Sequence, residues 1–439
     1  MNAKVLSNNI KENAQIEIGG YKHSLVMIIC ISLLLNIDVT IDNVPDIKET
    51  EVFIRLLNLF GKKYIYHNNK LKMYQSDIQS IEIPDDITQL VHGTIYLLPV
   101  LLFINHTINI FQTGGCKIGN ENTVSSRPVE HMLSIMQKFG AIRVGDSLFL
   151  QDEYRAAEVN IKDYSNDKNV LSGPLVSGAT KTAILCALKA EGITIIRKPY
   201  MKADVLEMLQ FIELSGGKYE LKEETLKIIP PKTKKRIHYQ LTSDVSEIVT
   251  FIAFAQFHKT SVVLNNICNE TIIKKSLVHE LLYFGKIGVS IEWRKKSLRI
   301  MSASEPKAIG MINVNGETIY SDSQPFFLLS LLDAENESII EDDVWNNRFE
   351  YAKELKHAGE PIEFINNKTV RILGQNENVI DTKKTLVAKD LRGAACLLIY
   401  ASKHIGQKVK NVEHIERGYD DFWGKMKKLG IEFDVDERE

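Results

Sequence analysis

Residues 39 to 64 read VTIDNVPDIKETEVFIRLLNLFGKKY: a β-branched strand, a turn rich in Asp, Asn and Pro, and an amphipathic helix that stops at Gly61 before another strand begins. Val52, Leu56 and Leu59 recur at the 3.6-residue period of one helix face. Gly61 falls where a helix end turns into the left-handed region that glycine enters without strain. The same order of parts returns five times. It appears in INIFQTGGCKIG from 108 with SRPVEHMLSIMQKFGAIRV downstream, and in ITIIRKPYMKADVLEMLQFIELSGGKYE from 193. It appears again in SVVLNNICNETIIKKSLVHELLYFGKIGVSIEW from 261, SIIEDDVWNNRFEYAKELKHAGEPIEF from 338 and KVKNVEHIERGYDDFWGKMKKLGIEF from 408.

These copies begin roughly 70 to 85 residues apart, wider than the spacing of about 20 to 50 found in solenoids, so each is large enough to be an α/β subdomain. Further helices are expected at 88 to 104, 178 to 190, 246 to 257, 323 to 333 and 391 to 404, giving each repeat two helices and several strands. The segment KIIPPKTKKRI at 227 to 237 joins consecutive prolines to a charge run and splits the six copies into two groups of three. A two-lobed α/β protein with internal symmetry is expected.

Composition narrows the function. The 439 residues are 44% hydrophobic, enough for two or three ordinary cores. Lys and Arg total 54 against 56 for Asp and Glu, so the basic excess of a protein that grips nucleic acid by its phosphates is missing and any anion site must be local. The apolar windows SLVMIICISLLL at 24 to 35 and TIYLLPVLLFI at 94 to 104 fall short of the roughly 18 to 20 residues that span a bilayer, and read as buried helices. The polar stretch MNAKVLSNNIKENAQ lacks a signal-peptide pattern, so a cytoplasmic location is expected. Five cysteines without close pairs, Cys30, Cys116, Cys186, Cys268 and Cys396, suit neither a disulfide framework nor a zinc knuckle. His23, His92 and His131 are scattered, and no glycine-rich phosphate loop of the Walker or dinucleotide type occurs, so no metal and no organic cofactor are expected.

The motifs QTGGCKIG and SRPVEHM, VSGAT from 176, SDSQPFF from 321, NNRF from 346, DLRGAA from 390 and IERGY from 415 resemble, in order and near spacing, those of the UDP-N-acetylglucosamine enolpyruvyl transferases. The resemblance covers nearly the whole chain. It implies the enolpyruvyl-transferase fold: two lobes, each of three βαβαββ-type subdomains arranged as an inside-out α/β barrel, with the active site in the cleft between them. One lobe would comprise 1 to 20 plus 231 to 439. The other would comprise 21 to 230 and carry the Cys116 loop, with hinges near 20 to 22 and 227 to 237.

It also implies the transfer of an enolpyruvyl group from phosphoenolpyruvate to an acceptor hydroxyl, by addition and then elimination of phosphate. A donor with a phosphate and a carboxylate calls for several fixed cations, and guanidinium forks match both groups. Lys22, Arg127, Arg392 and Arg417 match family positions of that kind. Cys116, in a Gly-Gly-Cys loop beside Lys117, matches the proton donor alkylated by the epoxide fosfomycin, and flexible glycines with a nearby cation favour a reactive thiol. Cys30, Cys186 and Cys396 lie in apolar helices and are expected to be inert. Asp322 matches the carboxylate that takes the acceptor's proton; an aspartate before a helix is also a common N-cap, and both roles can coexist. Lys22 counts with Cys116 and Asp322 among the catalytic candidates. Val344 and Arg348 match acceptor-side positions, and Asp204, Asp244 and Glu247 are candidates to orient the cations.

Four departures from the family pattern bear on the acceptor. His23 replaces an Asn, His92 an Arg, and Pro174 and Val176 stand where the family has a Lys and a Ser ahead of Ser177 and Gly178. The segment NENTVSS at 120 to 126 is inserted or rearranged. Losing a lysine and a hydroxyl weakens a diphosphate site, while Arg127-Pro128-Val129-Glu130-His131 retains most of the uracil-facing stretch. The acceptor expected is therefore a uridine nucleotide such as UMP, as in peptidyl-nucleoside antibiotic pathways. The peptidoglycan enzyme of cell wall biogenesis is the alternative, the shikimate 3-phosphate transferase ranks third, and a binding module of the same fold with a decayed site is a further reading. The oligomeric state is not legible.

Overall fold

The computed structural model describes residues 1–79, 82–111, 114, 128–232, 236–374 and 381–436. The repeat is plainest in 311–372. Strand Met311–Val314 runs parallel to Ser338–Asp342, which pairs antiparallel with Thr369–Ile372, which pairs antiparallel with Ile362–Phe364. Helices Gln324–Leu331 and Glu350–Ala358 intervene, so the order is βαβαββ. A parallel pair needs a crossover, which the first helix supplies, whereas the closing antiparallel pair needs only a turn. Residues 158–229 repeat this arrangement around strands Glu158–Asn160, Thr194–Arg197, Lys218–Lys222 and Thr225–Ile229. The sheet of 107–149 shows three strands among the described residues.

Three sheets draw a strand from far along the chain. Asn2–Asn8 lies between Lys408–Lys410 and Ile431–Asp436. Ala14–Glu17 runs parallel to Ser261–Asn265, and Ile237–Gln240 runs parallel to Val39–Asp42. The glycines that close the amphipathic helix of the six repeats, Gly61, Gly140, Gly216, Gly288, Gly359 and Gly430, all have φ between 66° and 111°. That is the left-handed geometry expected from the repeat pattern.

The described residues form two compact units: one within Met1–Gly19 and Ser243–Glu439, the other within Gly20–Gly115 and Thr123–Thr242. The second crossing thus falls after Thr242, beyond the expected 227–237, because strand Ile237–Gln240 is tied by its backbone to Val39–Asp42. In the first unit, helices Val245–Phe257, Gln324–Leu331 and Leu391–Ala401 pack on one another and are buried on every side. In the second, Leu97–Asn105 packs against both Lys22–Leu35 and Leu175–Ala187. Helices apolar all round need such enclosure, and each fully buried Leu, Ile or Phe contributes about 1.5–3 kcal/mol.

Several helix boundaries depart from expectation, among them the end of the helix expected at 391 to 404, which stops at Ala401. The segment 88 to 104 is not one helix: Asp85–Thr88 is followed by the 3-10 turn His92–Tyr96 and then Leu97–Asn105. Pro99 has no N–H to give an upstream carbonyl, so it suits only the first turn of that last helix. The helix expected at 178 begins at Leu175, which puts Ser177 and Gly178 in its first turn. No described helix is long and apolar enough to cross a membrane.

Candidate active site

In the unit containing 243–439, three of the candidate residues meet. Asp322 lies in the turn before helix Gln324–Leu331. Its Oδ1 accepts from Arg348 Nη2 and its Oδ2 from Arg392 Nε, each at 2.9 Å. The two arginine side chains are 3% and 1% exposed while Asp322 keeps 32%, so two buried cations converge on one carboxylate that still reaches solvent. Such charge-assisted bonds are the strong kind. The helix cap is Ser323, without a side-chain cap bond, so Asp322 spends both oxygens on the arginines instead of capping.

Arg392 is set by its own helix. Asp390, the N-cap of Leu391–Ala401, accepts from the N–H groups of Arg392 and Gly393 at 2.9 and 3.1 Å. Asp390 Oδ1 also lies 3.7 Å from Arg348 Nη1. The Arg392 guanidinium stands over the Tyr419 ring at 5.1 Å, and the Tyr419 hydroxyl shares a 2.8 Å hydrogen bond with Thr250 Oγ1. Burial opposes the charge on Arg392, yet Tyr419, Asp322 and Asp244 outweigh it and hold its pKa well above the usual arginine value. Asp244 caps Val245–Phe257 through the N–H groups of Ser246 and Glu247. Arg417 ends the 3-10 turn Val412–Arg417, half-buried and two residues before Tyr419. The N–H of Val344 is held by Asp342 Oδ1 at 2.9 Å.

The other unit holds a second set. Lys22 opens helix Lys22–Leu35 and pairs with Glu49 at 2.9 Å, both largely shielded. Gly93, next to His92, lies against that carboxylate: a Cβ there would come within 2.6 Å of Glu49 Oε1. His23 packs edge-on to Tyr21, and His92 edge-on to Tyr96. Lys181 stands 4.9 Å over the Tyr96 ring and pairs with Asp204 at 2.6 Å. The structure also joins the stretches around 130 and 178, because His131 Nε2 would sit 2.3 Å from a Cβ on Gly178. Burial lowers the His131 pKa to about 4, so the ring is neutral near pH 7. Pro128 is exposed and Val129 half-buried ahead of helix Glu130–Lys138, and Ser177 is half-buried.

Cys116 and Arg127 lie outside the described residues. Cys30, Cys186 and Cys396 are wholly buried in helices, and burial pushes their thiols up. Glu247 is buried against Lys425 at 2.5 Å and accepts from Gly19 N–H at 3.1 Å; burial raises its pKa to about 7 despite the lysine. Its side-chain contacts are thus with Lys425 and the Gly19 backbone. A cavity of about 720 Å³ lined by Glu82, Asp85, Gln89, Asn105 and Phe111, among others, contains none of the candidates. Among the described residues no group of three or more His, Cys, Asp or Glu is arranged for a metal ion.

Sequence reasoning missed the residues that hold the candidates: Glu49, Lys181, Asp342, Asp390 and Tyr419. Two could have been found, since Asp390 precedes an apolar helix in DLRGAA and Tyr419 follows Arg417 in the same motif.

Residues 8–426 match the family described as EPSP synthase (3-phosphoshikimate 1-carboxyvinyltransferase). The chain is similar to UDP-N-acetylglucosamine 1-carboxyvinyltransferase of Buchnera aphidicola subsp. Schizaphis graminum, with 27% identity over 98% of this chain and 99% of the relative. It is equally similar, at 27%, to the enzyme of that name from Elusimicrobium minutum, over 98% and 97% of the two chains. Among solved structures it resembles the enolpyruvyl transferase NikO from Streptomyces tendae, with a TM-score of 0.87 and 28% identity over 99% of this chain and 98% of the other. An EPSP synthase from Acinetobacter baumannii shares the fold, with a TM-score of 0.69 and 14% identity over 99% and 100% of the two chains.

Proposed function

The chain belongs to the EPSP synthase (3-phosphoshikimate 1-carboxyvinyltransferase) family and is an enolpyruvyl transferase, and on that premise we propose that its acceptor is a uridine nucleotide such as UMP, in a specialised pathway of the nucleoside-antibiotic kind. The observation that carries this choice is the start of helix Leu175–Ala187. Pro174 caps it without a side-chain hydrogen bond, and Val176 is buried. A sugar diphosphate wants a cation and a hydroxyl at those two positions, and neither side chain offers one; a monophosphate has less charge to satisfy.

In this reading Asp322 takes the proton of the acceptor hydroxyl as its oxygen attacks C2 of phosphoenolpyruvate, and Cys116 delivers a proton to C3. The tetrahedral adduct then loses a proton from C3 and expels phosphate, which restores the double bond on the new ether. Arg348 and Arg392 fix the directions of both Asp322 oxygens, so the base needs little reorganisation when the acceptor binds. Lys22, Arg127, Arg392 and Arg417 serve the donor's phosphate and carboxylate. His23, His92, Arg127, Pro128, Val129, Ser177, Gly178, Val344 and Arg348 face the acceptor, with His131 presenting an uncharged ring behind Gly178.

The names of the curated relatives favour a second reading, transfer to UDP-N-acetylglucosamine in peptidoglycan synthesis. Phosphate release from phosphoenolpyruvate, measured over UMP, uridine, UDP-N-acetylglucosamine and shikimate 3-phosphate with mass spectrometry of the products, separates the two. An enolpyruvyl adduct on UMP and none on the sugar nucleotide is the expected result. Turnover of the sugar nucleotide alone would overturn the choice of acceptor.

A further inference from the structure

The turn that carries Asp322 is gripped by two other buried carboxylates. From helix Val278–Ile287, Glu280 Oε1 accepts from Tyr320 N–H at 2.7 Å and from Ser323 Oγ at 3.2 Å. From strand Ser338–Asp342, Asp342 Oδ2 accepts from Ser321 Oγ at 2.6 Å. Asp342 does more than close this turn. Its Oδ1 accepts from Val344 N–H at 2.9 Å and from Trp345 N–H at 3.1 Å, so one carboxylate ties the Asp322 turn to the Val344 turn. Both Glu280 and Asp342 are fully buried.

Burying a carboxylate is costly, and an apolar contact between two turns would be cheaper unless their separation had to be fixed. Three hydrogen bonds to this one carboxylate, from Ser321 on one side and from Val344 and Trp345 on the other, bridge the two turns. The charged and titratable groups facing Asp342 are Arg348, which is itself bonded to Asp322, and Tyr351.

We propose that Asp342 is a positioning residue that sets the distance between the base, Asp322, and the acceptor-holding turn at Val344, and so helps to select the acceptor. The inference rests on the roles given to Asp322 and Val344 above. A base displaced by about an ångström from the hydroxyl it serves loses up to about a hundredfold in rate.

The test uses the full chain and the acceptor that turns over best. Ser321→Ala, Asp342→Asn and Asp342→Ala are compared for kcat, for KM of donor and acceptor, for the pH profile of kcat, and for thermal melting. Ser321→Ala removes one hydroxyl and leaves Asp342 on its two backbone N–H groups, so it should fold normally. It is expected to lower kcat about tenfold, raise the acceptor KM and move the acid limb of the pH profile, with the donor KM changed less than about twofold. Asp342→Asn retains an oxygen for Val344 and Trp345 and turns its amide to Ser321 Oγ, which can accept. It should therefore recover most of the activity that Asp342→Ala loses. If Ser321→Ala and Asp342→Ala lower only the melting temperature, with kcat, acceptor KM and the pH profile intact, Asp342 is structural and the proposal is overturned. If Asp322→Asn keeps full turnover, the assignment of the base has failed instead, and this inference goes with it.

Discussion

Gly178→Ala pits helix propensity against packing. Gly178 is in the first turn of Leu175–Ala187, where alanine is worth up to about 1 kcal/mol over glycine. Its Cβ would, however, lie 2.3 Å from His131 Nε2, 3.2 Å from Cδ2 and 3.4 Å from Cε1. Unbonded heavy atoms rest at about 3.5–4.0 Å, so the ring must retreat by more than about 1 Å. It has nowhere to go, since His131 is 8% exposed and fixed in the first turn of Glu130–Lys138. Overpacking of this kind costs about 1–3 kcal/mol, which exceeds the propensity gain, and a net loss of roughly 1 kcal/mol is expected. In a His131→Ala background the obstacle is gone and the same substitution should stabilise. The coupling between the two positions is then about 2 kcal/mol. Calorimetric melting of the four proteins of the cycle measures it, at roughly 2–4 °C per kcal/mol for a unit of this size. A higher melting temperature for Gly178→Ala in the parent, or the same effect in both backgrounds, would refute the packing argument.

Asp322→Asn should lower kcat by about a hundredfold or more while donor binding persists, and should cost about 3 kcal/mol of stability because Arg348 and Arg392 lose their shared carboxylate; rate assays and melts check the two effects separately. Glu207 is buried, with Oε1 accepting from the Tyr239 hydroxyl and from Thr242 N–H, and burial raises its pKa to about 7. A carboxyl raised in the folded state stabilises most below its unfolded pKa, so stability should fall by about 3 kcal/mol between roughly pH 4.5 and pH 7. Glu207→Gln should flatten that slope in denaturation curves taken across pH. His131 gives the opposite sign: its folded pKa is depressed to about 4, so its contribution is complete above about pH 6.5 and is lost on acidification, a loss that His131→Ala should remove. Fosfomycin should alkylate Cys116 in the native protein and reach Cys30, Cys186 and Cys396 only after unfolding, which peptide mapping would reveal; equal labelling of all four would contradict the reading of the loop thiol.

The repeat was legible because strand, helix and closing glycine are local signals, and all six glycines that the pattern marks have positive φ. The edge of the first unit was less legible. The prolines at 230 and 231 suggested a boundary, but the strand after them pairs with Val39–Asp42, almost two hundred residues away. No local pattern encodes such a partner. Asp322, Arg348 and Arg392 could be picked out by their motifs, yet their meeting depends on side chains 26 and 70 residues apart in the chain. Asp342 and Glu280 carry no motif at all. They are known only by the turns they hold.

The strand Ala14–Glu17 and the strand Ile237–Gln240 each pair across a long gap in the sequence, and this orders events on the ribosome. The unit within Gly20–Gly115 and Thr123–Thr242 contains the partners of all its described strands and can fold once Thr242 has emerged. Asn2–Asn8 and Ala14–Glu17 are made first but must wait for Lys408–Lys410, Ile431–Asp436 and Ser261–Asn265. At about 5–20 residues per second, the first of these strands stays unpaired for tens of seconds. During that interval it is an open edge exposed to any neighbouring chain, so slow translation of the last third should favour aggregation over yield.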